Sequence, residues 1–145
     1  MKRYWVLVAD ATRARIFARE KKFSPLEELN TMVHPESRLQ RQSLVTDRPG
    51  QVQESAGAGE SANEEPTDPK LTESIEFARD VGQHIIQGRT DHAFEGLILV
   101  AEPKFLGLLR KHLDASTEKV VEHTISKNMT REGTDAIARL LDEHL

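Results

Sequence analysis

The pattern of hydrophobic and polar residues predicts three strands in the first quarter of the chain. Residues 4–9 are almost continuously apolar, which is typical of a central strand covered on both faces. Residues 13–19 alternate between apolar and polar side chains, and this period of two predicts a second strand that forms a hairpin with the first. Residues 26–33 are polar enough for a strand near a sheet edge, and Pro35 ends that strand.

Apolar residues at helical spacing then predict a first helix. Asp68 is its expected N-cap, Pro69 its first residue and Gly88 its C′ residue. The predicted inward-facing stripe consists of Leu71, Ile75, Ala78, Val81, Ile85 and Ile86.

Strands and helices alternate over the remaining chain. Strands are predicted over 96–101 and 119–125, and a last helix begins at Thr130 or Thr134. A helix that opens at Pro103 separates the two strands, and its inward residues are Phe105, Leu106, Leu109 and Leu113. Alternation implies parallel pairing, whereas the earlier hairpins imply antiparallel pairing. We therefore predict an α/β fold, a three-layer sandwich with a mixed five-stranded sheet and the strands 4–9 and 96–101 adjacent at its centre.

The stretch between the third strand and the first helix has no sustained periodicity. The 145 residues predict one domain, 1–145, which carries a long flexible loop at about 35–66. Basic residues occupy the front of this loop and acidic residues its rear. The basic ones are Arg38, Arg41 and Arg48, and the acidic ones are Glu54, Glu60, Glu64, Glu65 and Asp68. A basic segment can contact RNA backbone and order on binding; the alternative is a solvated variable loop.

Composition narrows the function further. The chain has no cysteine, which excludes disulfides, thiolate metal sites and cysteine nucleophiles. Its net charge of −4 predicts no DNA partner, and any contact with nucleic acid must come from a local basic patch. No apolar run approaches the roughly 20 residues that a membrane helix needs, and no signal peptide is visible. We expect no membrane insertion and a cytoplasmic location.

No catalytic constellation stands out, and neither a metal site nor a cofactor is predicted. The six histidines lack metal-ligand spacing. Asp10 follows a central strand, which is a frequent position for functional carboxylates in α/β folds. The favoured alternative is that Asp10 caps its own turn, because the sequence places no second carboxylate beside it.

The second strand carries the most suggestive surface. Alternation places Arg13, Arg15, Phe17 and Arg19 on one face, a combination used for phosphate contact and base stacking. The alternative is that the arginine stems cover a sheet face or meet glutamates of the third strand.

Three segments carry a resemblance to a known family. They are residues 5–17 (WVLVADATRARIF), 47–50 (DRPG) and 97–110 (LILVAEPKFLGLLR). Together they resemble the bacterial host-attachment proteins, a family called "protein required for attachment to host cells". That family is in turn similar in fold to the central domain of archaeal and eukaryotic class-one peptide-chain release factors. The resemblance implies the same three-layer mixed sandwich.

The release-factor resemblance also bears on catalysis. In those factors the loop after the third strand carries Gly-Gly-Gln, and the matching loop here offers Pro49, Gly50 and Gln51. Proline cannot reach the positive φ available to glycine and lacks an N–H. We therefore expect no hydrolysis of peptidyl-tRNA and no enzyme activity.

A hydrolase that uses Asp10 or the loop is the weakest hypothesis, because the sequence shows neither a nucleophile–base pair nor a metal set. Two stronger hypotheses remain. The first is a non-catalytic cytoplasmic binding module that is translation-related and contacts the ribosome or structured RNA, with Gly50 and Gln51 beside the loop arginines as candidate contacts. The alternative is a factor that promotes bacterial attachment to host cells through a protein partner, without nucleic acid.

Overall fold

The computed structural model describes residues 3–21, 24–34 and 69–144. The strands in these residues are β1 (Tyr4–Ala9), β2 (Arg13–Arg19), β3 (Glu27–Val33), β4 (Gly96–Ala101) and β5 (Val121–Ser126). The helices are α1 (Pro69–Thr90), α2 (Pro103–Arg110), α3 (Ala115–Glu118) and α4 (Thr134–His144).

The five strands form one mixed sheet in the order β3-β2-β1-β4-β5. β1 pairs antiparallel with β2, and β2 pairs antiparallel with β3. On its other side β1 pairs in parallel with β4, and β4 pairs in parallel with β5. The predicted mixed sheet and the central position of β1 and β4 are confirmed. Every residue of β4 is buried, as the continuous apolar run predicted.

Helices cover both faces of the sheet, which confirms the three-layer sandwich. On one face the core contains Phe77 and Val81 of α1 and Phe105 of α2. On the other face it contains Ile137 and Leu141 of α4. The alternation in β2 follows from this arrangement: its small and aliphatic residues face α1 and α2, whereas its aromatic ring faces α4.

The inward face of α1 differs from the predicted stripe. Leu71 and Ile75 are 46% and 37% exposed, whereas Phe77, which the stripe omitted, is fully buried. Gly88 is not the C′ residue, because α1 continues to Thr90. A Cβ at position 88 would lie 2.5 Å from Cη2 of Trp5, so the glycine makes room for an indole instead of ending the helix.

Two further boundaries, the end of α2 and the start of β5, differ from the sequence prediction. Leu113 is buried beyond the end of α2 and not within it. The short helix α3 was not predicted; Asp114 caps it by accepting the N–H of Thr117, and β5 consequently begins at Val121. Of the two proposed starts for the last helix, Thr134 is correct.

The described residues fall into two units. The first contains residues 3–33 and 74–144, with the whole sheet; the second contains His34 and residues 69–73, the first turn of α1. The predicted flexible loop at about 35–66 lies outside the described residues, so the single-domain organisation stays a prediction. No helix of the described ranges combines the length and the apolar character that crossing a bilayer requires.

Candidate functional site at the carboxyl ends of the strands

Four strands end at the same edge of the sheet. β1, β3, β4 and β5 run in one direction, so the residues that follow β1 and β5 share this edge. The carboxyl ends of parallel strands are where α/β folds most often place functional side chains. Asp10 follows β1 directly, and it is 8% exposed.

The first carboxylate oxygen of Asp10 organises the turn between β1 and β2. Oδ1 accepts the backbone N–H of Thr12 at 2.8 Å, the Thr12 hydroxyl at 2.7 Å and the backbone N–H of Arg13 at 3.0 Å. An Asp side chain that accepts backbone donors two and three residues later mimics a backbone turn. The turn role that the sequence favoured for Asp10 is therefore observed.

The second carboxylate oxygen binds a segment distant in sequence. Oδ2 accepts from Nδ2 of Asn128 at 3.0 Å and from the hydroxyl of Thr130 at 2.9 Å. Asn128 also accepts the backbone N–H of Thr130 at 3.0 Å. Asp10 thus connects the β1–β2 turn to the segment between β5 and α4. Sequence reasoning did not identify either residue as a partner of Asp10; Thr130 was considered only as a possible start of the last helix, and both residues lie within four positions of the end of β5.

The hydrogen bonds determine the protonation of Asp10. Burial raises its pKa, but the Thr12 hydroxyl, the backbone N–H groups of Thr12 and Arg13 and the Thr130 hydroxyl outweigh burial and lower the pKa from 3.8 to about 2. A carboxylate with so low a pKa is a weak proton acceptor at neutral pH. Five hydrogen bonds already occupy both of its oxygens. Its geometry therefore serves structure better than acid–base chemistry.

Arg15 closes the same network from β2. Its Nε and Nη2 donate to the two carboxylate oxygens of Glu28 at 3.0 and 3.1 Å. Its Nη1 donates to the carbonyls of Thr130 and Glu132 at 3.1 and 2.7 Å. The guanidinium also lies 5.1 Å from the centre of the Phe17 ring. Glu28 lies on β3, so the arginine meets a glutamate of the third strand, as the alternative interpretation of this face predicts.

The other three residues of the predicted arginine face differ in burial and in their hydrogen-bond partners. Phe17 is fully buried against α4 and has no ring face free for a base. Arg19 is 3% exposed, and its side chain bonds the carbonyl of Ser24. Arg13 is half-buried, and within the described ranges no hydrogen bond or ion pair of its side chain is recorded. The four residues share one face, as predicted, but they do not form an exposed stacking surface; their binding role stays a prediction.

The remaining candidate residues lie outside the described residues. They are Arg38, Arg41, Arg48, Gly50 and Gln51. Two described residues of the second unit, one before and one after this segment in sequence, are in contact. Nε2 of His34 lies 2.6 Å from Oε1 of Glu73, and both side chains are about one-tenth exposed.

No group of three metal-ligating side chains is found within residues 3–21, 24–34 and 69–144. Glu102 at the end of β4 caps α2, where it accepts the N–H groups of Lys104 and Phe105. His84 stacks on the ring of Trp5 with centroids 5.8 Å apart. These polar groups have structural partners, and the absence of a cofactor stays an expectation.

The sheet order and the layers define a release-factor-like α/β sandwich. An archaeal translation termination factor, aRF1, matches 99% of this chain with a TM-score of 0.53 and 14% identity. The chain spans about a third of that factor, 35% of its length. A second structure, described as an archaeal protein, matches with a TM-score of 0.46 and 11% identity over 98% of this chain and 36% of its own. The likeness to aRF1 confirms the predicted fold.

The chain belongs to the family described as "protein required for attachment to host cells", which matches residues 5–141. It is 33% identical over 110 residues to RP470, an uncharacterized protein of Rickettsia prowazekii (strain Madrid E). That alignment covers 73% of this chain and 67% of the relative. The family inferred from the three sequence segments is confirmed.

Proposed function

We propose that this chain is a non-catalytic cytoplasmic binding module that contacts the ribosome or structured RNA. The contact is made by the arginines of the segment between β3 and α1, which are Arg38, Arg41 and Arg48. The observation that carries the proposal is the pairing of His34 with Glu73 at 2.6 Å. This contact joins the residue that follows β3 in sequence to the first turn of α1, and the arginines lie between these two positions in the sequence.

The fold supports this assignment by analogy. The translation termination factor aRF1 contains a similar sandwich. The release-factor resemblance implies a Gly-Gly-Gln loop between the third strand and the first long helix of those factors. Pro49 stands where the first glycine of that motif is expected. On this analogy the segment at about 35–66 would contact RNA through its arginines, while Pro49 lacks the backbone freedom of the motif's first glycine.

The charge distribution supports a local contact with RNA. The chain carries a net charge of −4, so its overall field repels polyanions. The three loop arginines lie within eleven consecutive residues that contain Asp47 as their one acidic residue. Phosphate contacts made by arginine release counterions, so this binding weakens steeply as salt rises.

Ribosome co-sedimentation from a lysate, at low and at high salt, tests the proposal. We expect the tagged chain to sediment with ribosomes at low salt and to be released at high salt. The Arg38→Glu/Arg48→Glu variant should lose the sedimenting fraction. Its matched control is Arg131→Glu/Arg139→Glu, which reverses two exposed charges outside the loop. Failure of the wild-type chain to sediment at either salt concentration, or equal loss in both variants, would overturn the proposal.

The family's description favours a second candidate function. A protein required for attachment to host cells can act through a protein partner without nucleic acid. Affinity purification from nuclease-treated cells distinguishes the two functions. Recovery of envelope or regulatory proteins without ribosomal proteins supports the second, whereas loss of all captured proteins on nuclease treatment supports the first.

A further inference from the structure

The helices on the two faces of the sheet expose charges of opposite sign. On α4 the exposed charged residues are mostly acidic; they are Asp135, Arg139, Asp142 and Glu143. On the other face, every exposed charged residue of α2 and of residues 74–90 of α1 is basic. These residues are Arg79, Lys104 and Arg110, and the exposed Lys111 follows as the C-cap of α2. All residues from 74 to 111 are described and belong to the first unit.

The helices α1 and α2 are in direct contact. A Cβ at Gly82 of α1 would lie 3.1 Å from the Cβ of His112 and 3.2 Å from its carbonyl oxygen. Arg79 lies about one helical turn before Gly82, and Lys111 directly precedes His112. Because the helices meet at this level and both cations are exposed, Arg79 and Lys111 belong to one outer surface.

The exposed side of α2 follows helical spacing. Lys104, Gly107 and Lys111 are three and four positions apart, which places them on one side of the helix, opposite its buried residues. Arg110 is directed elsewhere: its Nη2 donates to Glu118 at 2.8 Å and its Nη1 to the hydroxyl of Thr124 at 3.2 Å. We call Arg79, Lys104, Gly107 and Lys111 the α1–α2 face.

Gly107 lies at the centre of the exposed side of α2. Glycine destabilises a helix relative to alanine, so a helical glycine is expected where a side chain would collide. Gly88 of α1 meets this expectation, because a Cβ there would lie 2.5 Å from Trp5. A Cβ at Gly107 would meet no atom of the described residues within 4 Å. The packing of residues 74–111 therefore does not explain Gly107, whereas the close approach of a partner to the helix backbone would.

We propose that the α1–α2 face is a second contact surface for structured RNA, with its three cations on phosphate groups and the RNA backbone packed over Gly107. Lysine and arginine are the usual phosphate contacts, and Gln83 and Gln87, which α1 also exposes, can donate to phosphates as well. Neither α1 nor α2 exposes an aromatic side chain of the kind that anchors protein partners. The identity of the partner rests on the proposed function, but the surface does not depend on the loop arginines.

Filter binding of protein-free ribosomal RNA to the full chain, over a series of salt concentrations, tests the cations. Lys104→Gln/Lys111→Gln should weaken binding at low salt about fivefold or more and reduce the slope of log K against log salt by about 1.5, since each lost phosphate contact removes about 0.7–0.9. Arg79→Gln should change both quantities in the same direction. The matched control, Arg131→Gln/Arg139→Gln, removes two exposed charges outside this face and should bind like the wild type.

A substitution that leaves the net charge unchanged tests the close approach at Gly107. Gly107→Gln should raise the unfolding temperature, because glutamine is the better helix former. It should nevertheless weaken RNA binding about threefold or more, because its side chain occupies the space of the RNA backbone. Gly133→Gln, at a glycine with equally open surroundings before α4, is the control and should bind like the wild type.

The loop variant Arg38→Glu/Arg48→Glu is measured beside these variants, so that the two proposals fail separately. Wild-type binding by Lys104→Gln/Lys111→Gln or by Gly107→Gln overturns this inference, and loss of binding by the loop variant alone then leaves the proposed function standing. Absence of ribosomal RNA binding by the wild type overturns both. Competition by poly-L-glutamate that equals competition by RNA overturns the assignment of this face to RNA and favours an acidic protein partner.

Discussion

Buried charged side chains are hydrogen-bonded differently at the two ends of the strands. At the carboxyl ends of the strands, Asp10 accepts five hydrogen bonds and Arg15 donates to a carboxylate and two carbonyls. At the opposite ends of the strands, Arg19 is more deeply buried than Arg15, yet its Nη1 has no hydrogen-bond partner among residues 3–21, 24–34 and 69–144. At the carboxyl ends of the strands, where α/β folds usually carry function, the charged groups are hydrogen-bonded to one another and to the backbone; we call this end of the sheet the closed edge. At the opposite ends, one guanidinium nitrogen has no such contact among the described residues. Position at a strand's carboxyl end is therefore a weaker guide here than an accounting of hydrogen bonds.

The largest expected effect is at the closed edge. Asp10→Asn replaces one acceptor oxygen by an NH₂ group, which then faces the donors of Asn128 and Thr130 or of the turn. We expect the free energy of unfolding to fall by about 2–4 kcal/mol, since a buried network loses acceptors. Urea unfolding measures this. Glu132→Gln, the same type of change at an exposed side chain, should leave stability within about 0.5 kcal/mol. Equal losses would contradict the role of Asp10.

The two arginines of β2 compare the edges directly. Arg15→Met removes four hydrogen bonds and should cost about 2 kcal/mol. Arg19→Met removes a guanidinium that is incompletely paired, and replacement of such a charge by an apolar side chain is often neutral. We expect its effect to stay below about 1 kcal/mol. Denaturant unfolding of the variants measures both, and a larger loss for Arg19→Met would contradict the comparison.

Low pH should reduce the free energy of unfolding by protonating the Asp10 carboxylate. Because hydrogen bonds to the Asp10 carboxylate lower its folded pKa to about 2 from 3.8, the folded state favours the ionised form. The resulting stabilisation is present above about pH 4 and is lost as the pH falls through about 2. The shift of nearly two pKa units corresponds to at most about 2.5 kcal/mol, at about 1.4 kcal/mol per pKa unit. Unfolding curves from pH 6 to 2 should therefore converge for wild type and Asp10→Asn; parallel curves would exclude this linkage.

The smallest expected effect is the difference in stability loss between substitutions of two neighbouring glutamates of β3. Glu28 pairs with Arg15, whose hydrogen bond lowers the pKa of Glu28, whereas Glu27 is an exposed residue at the start of β3. Glu28→Gln should cost about 0.5 kcal/mol, because the pair is partly exposed, and 1 M NaCl should reduce this cost. Glu27→Gln should change stability by less. Thermal unfolding at two salt concentrations measures both, and reversed magnitudes would count against the assignment of Glu28 to the closed edge.

The sequence predicted the parts of the structure that depend on local pattern. The apolar runs of β1 and β4 identified the centre of the sheet because only strands covered on both faces are so uniformly apolar. The turn role of Asp10 followed from residues two and three positions away. In contrast, Asn128 and Thr130 bind Asp10 from 118 and 120 residues away, and no local pattern encodes such a contact.

Two other features required the packing itself. Arginine is seldom buried, so periodicity placed Arg19 on a face without indicating that it is inaccessible. Gly88 resembles a helix terminator in sequence, and only the indole beside it shows why a side chain is excluded there. Such exclusion depends on which two elements meet, and that is decided by the fold as a whole.

The packing around Trp5 also gives the protein an intrinsic optical reporter. Trp5 is the single tryptophan of the chain, and its ring lies 4.8 Å from that of Phe94 and against the glycine of α1. Separation of α1 from the sheet moves this indole from a dry, aromatic environment into water, which shifts its emission to longer wavelength. Unfolding of the wild type and of each variant can therefore be followed by fluorescence on unlabelled protein, with a signal that originates from a known contact.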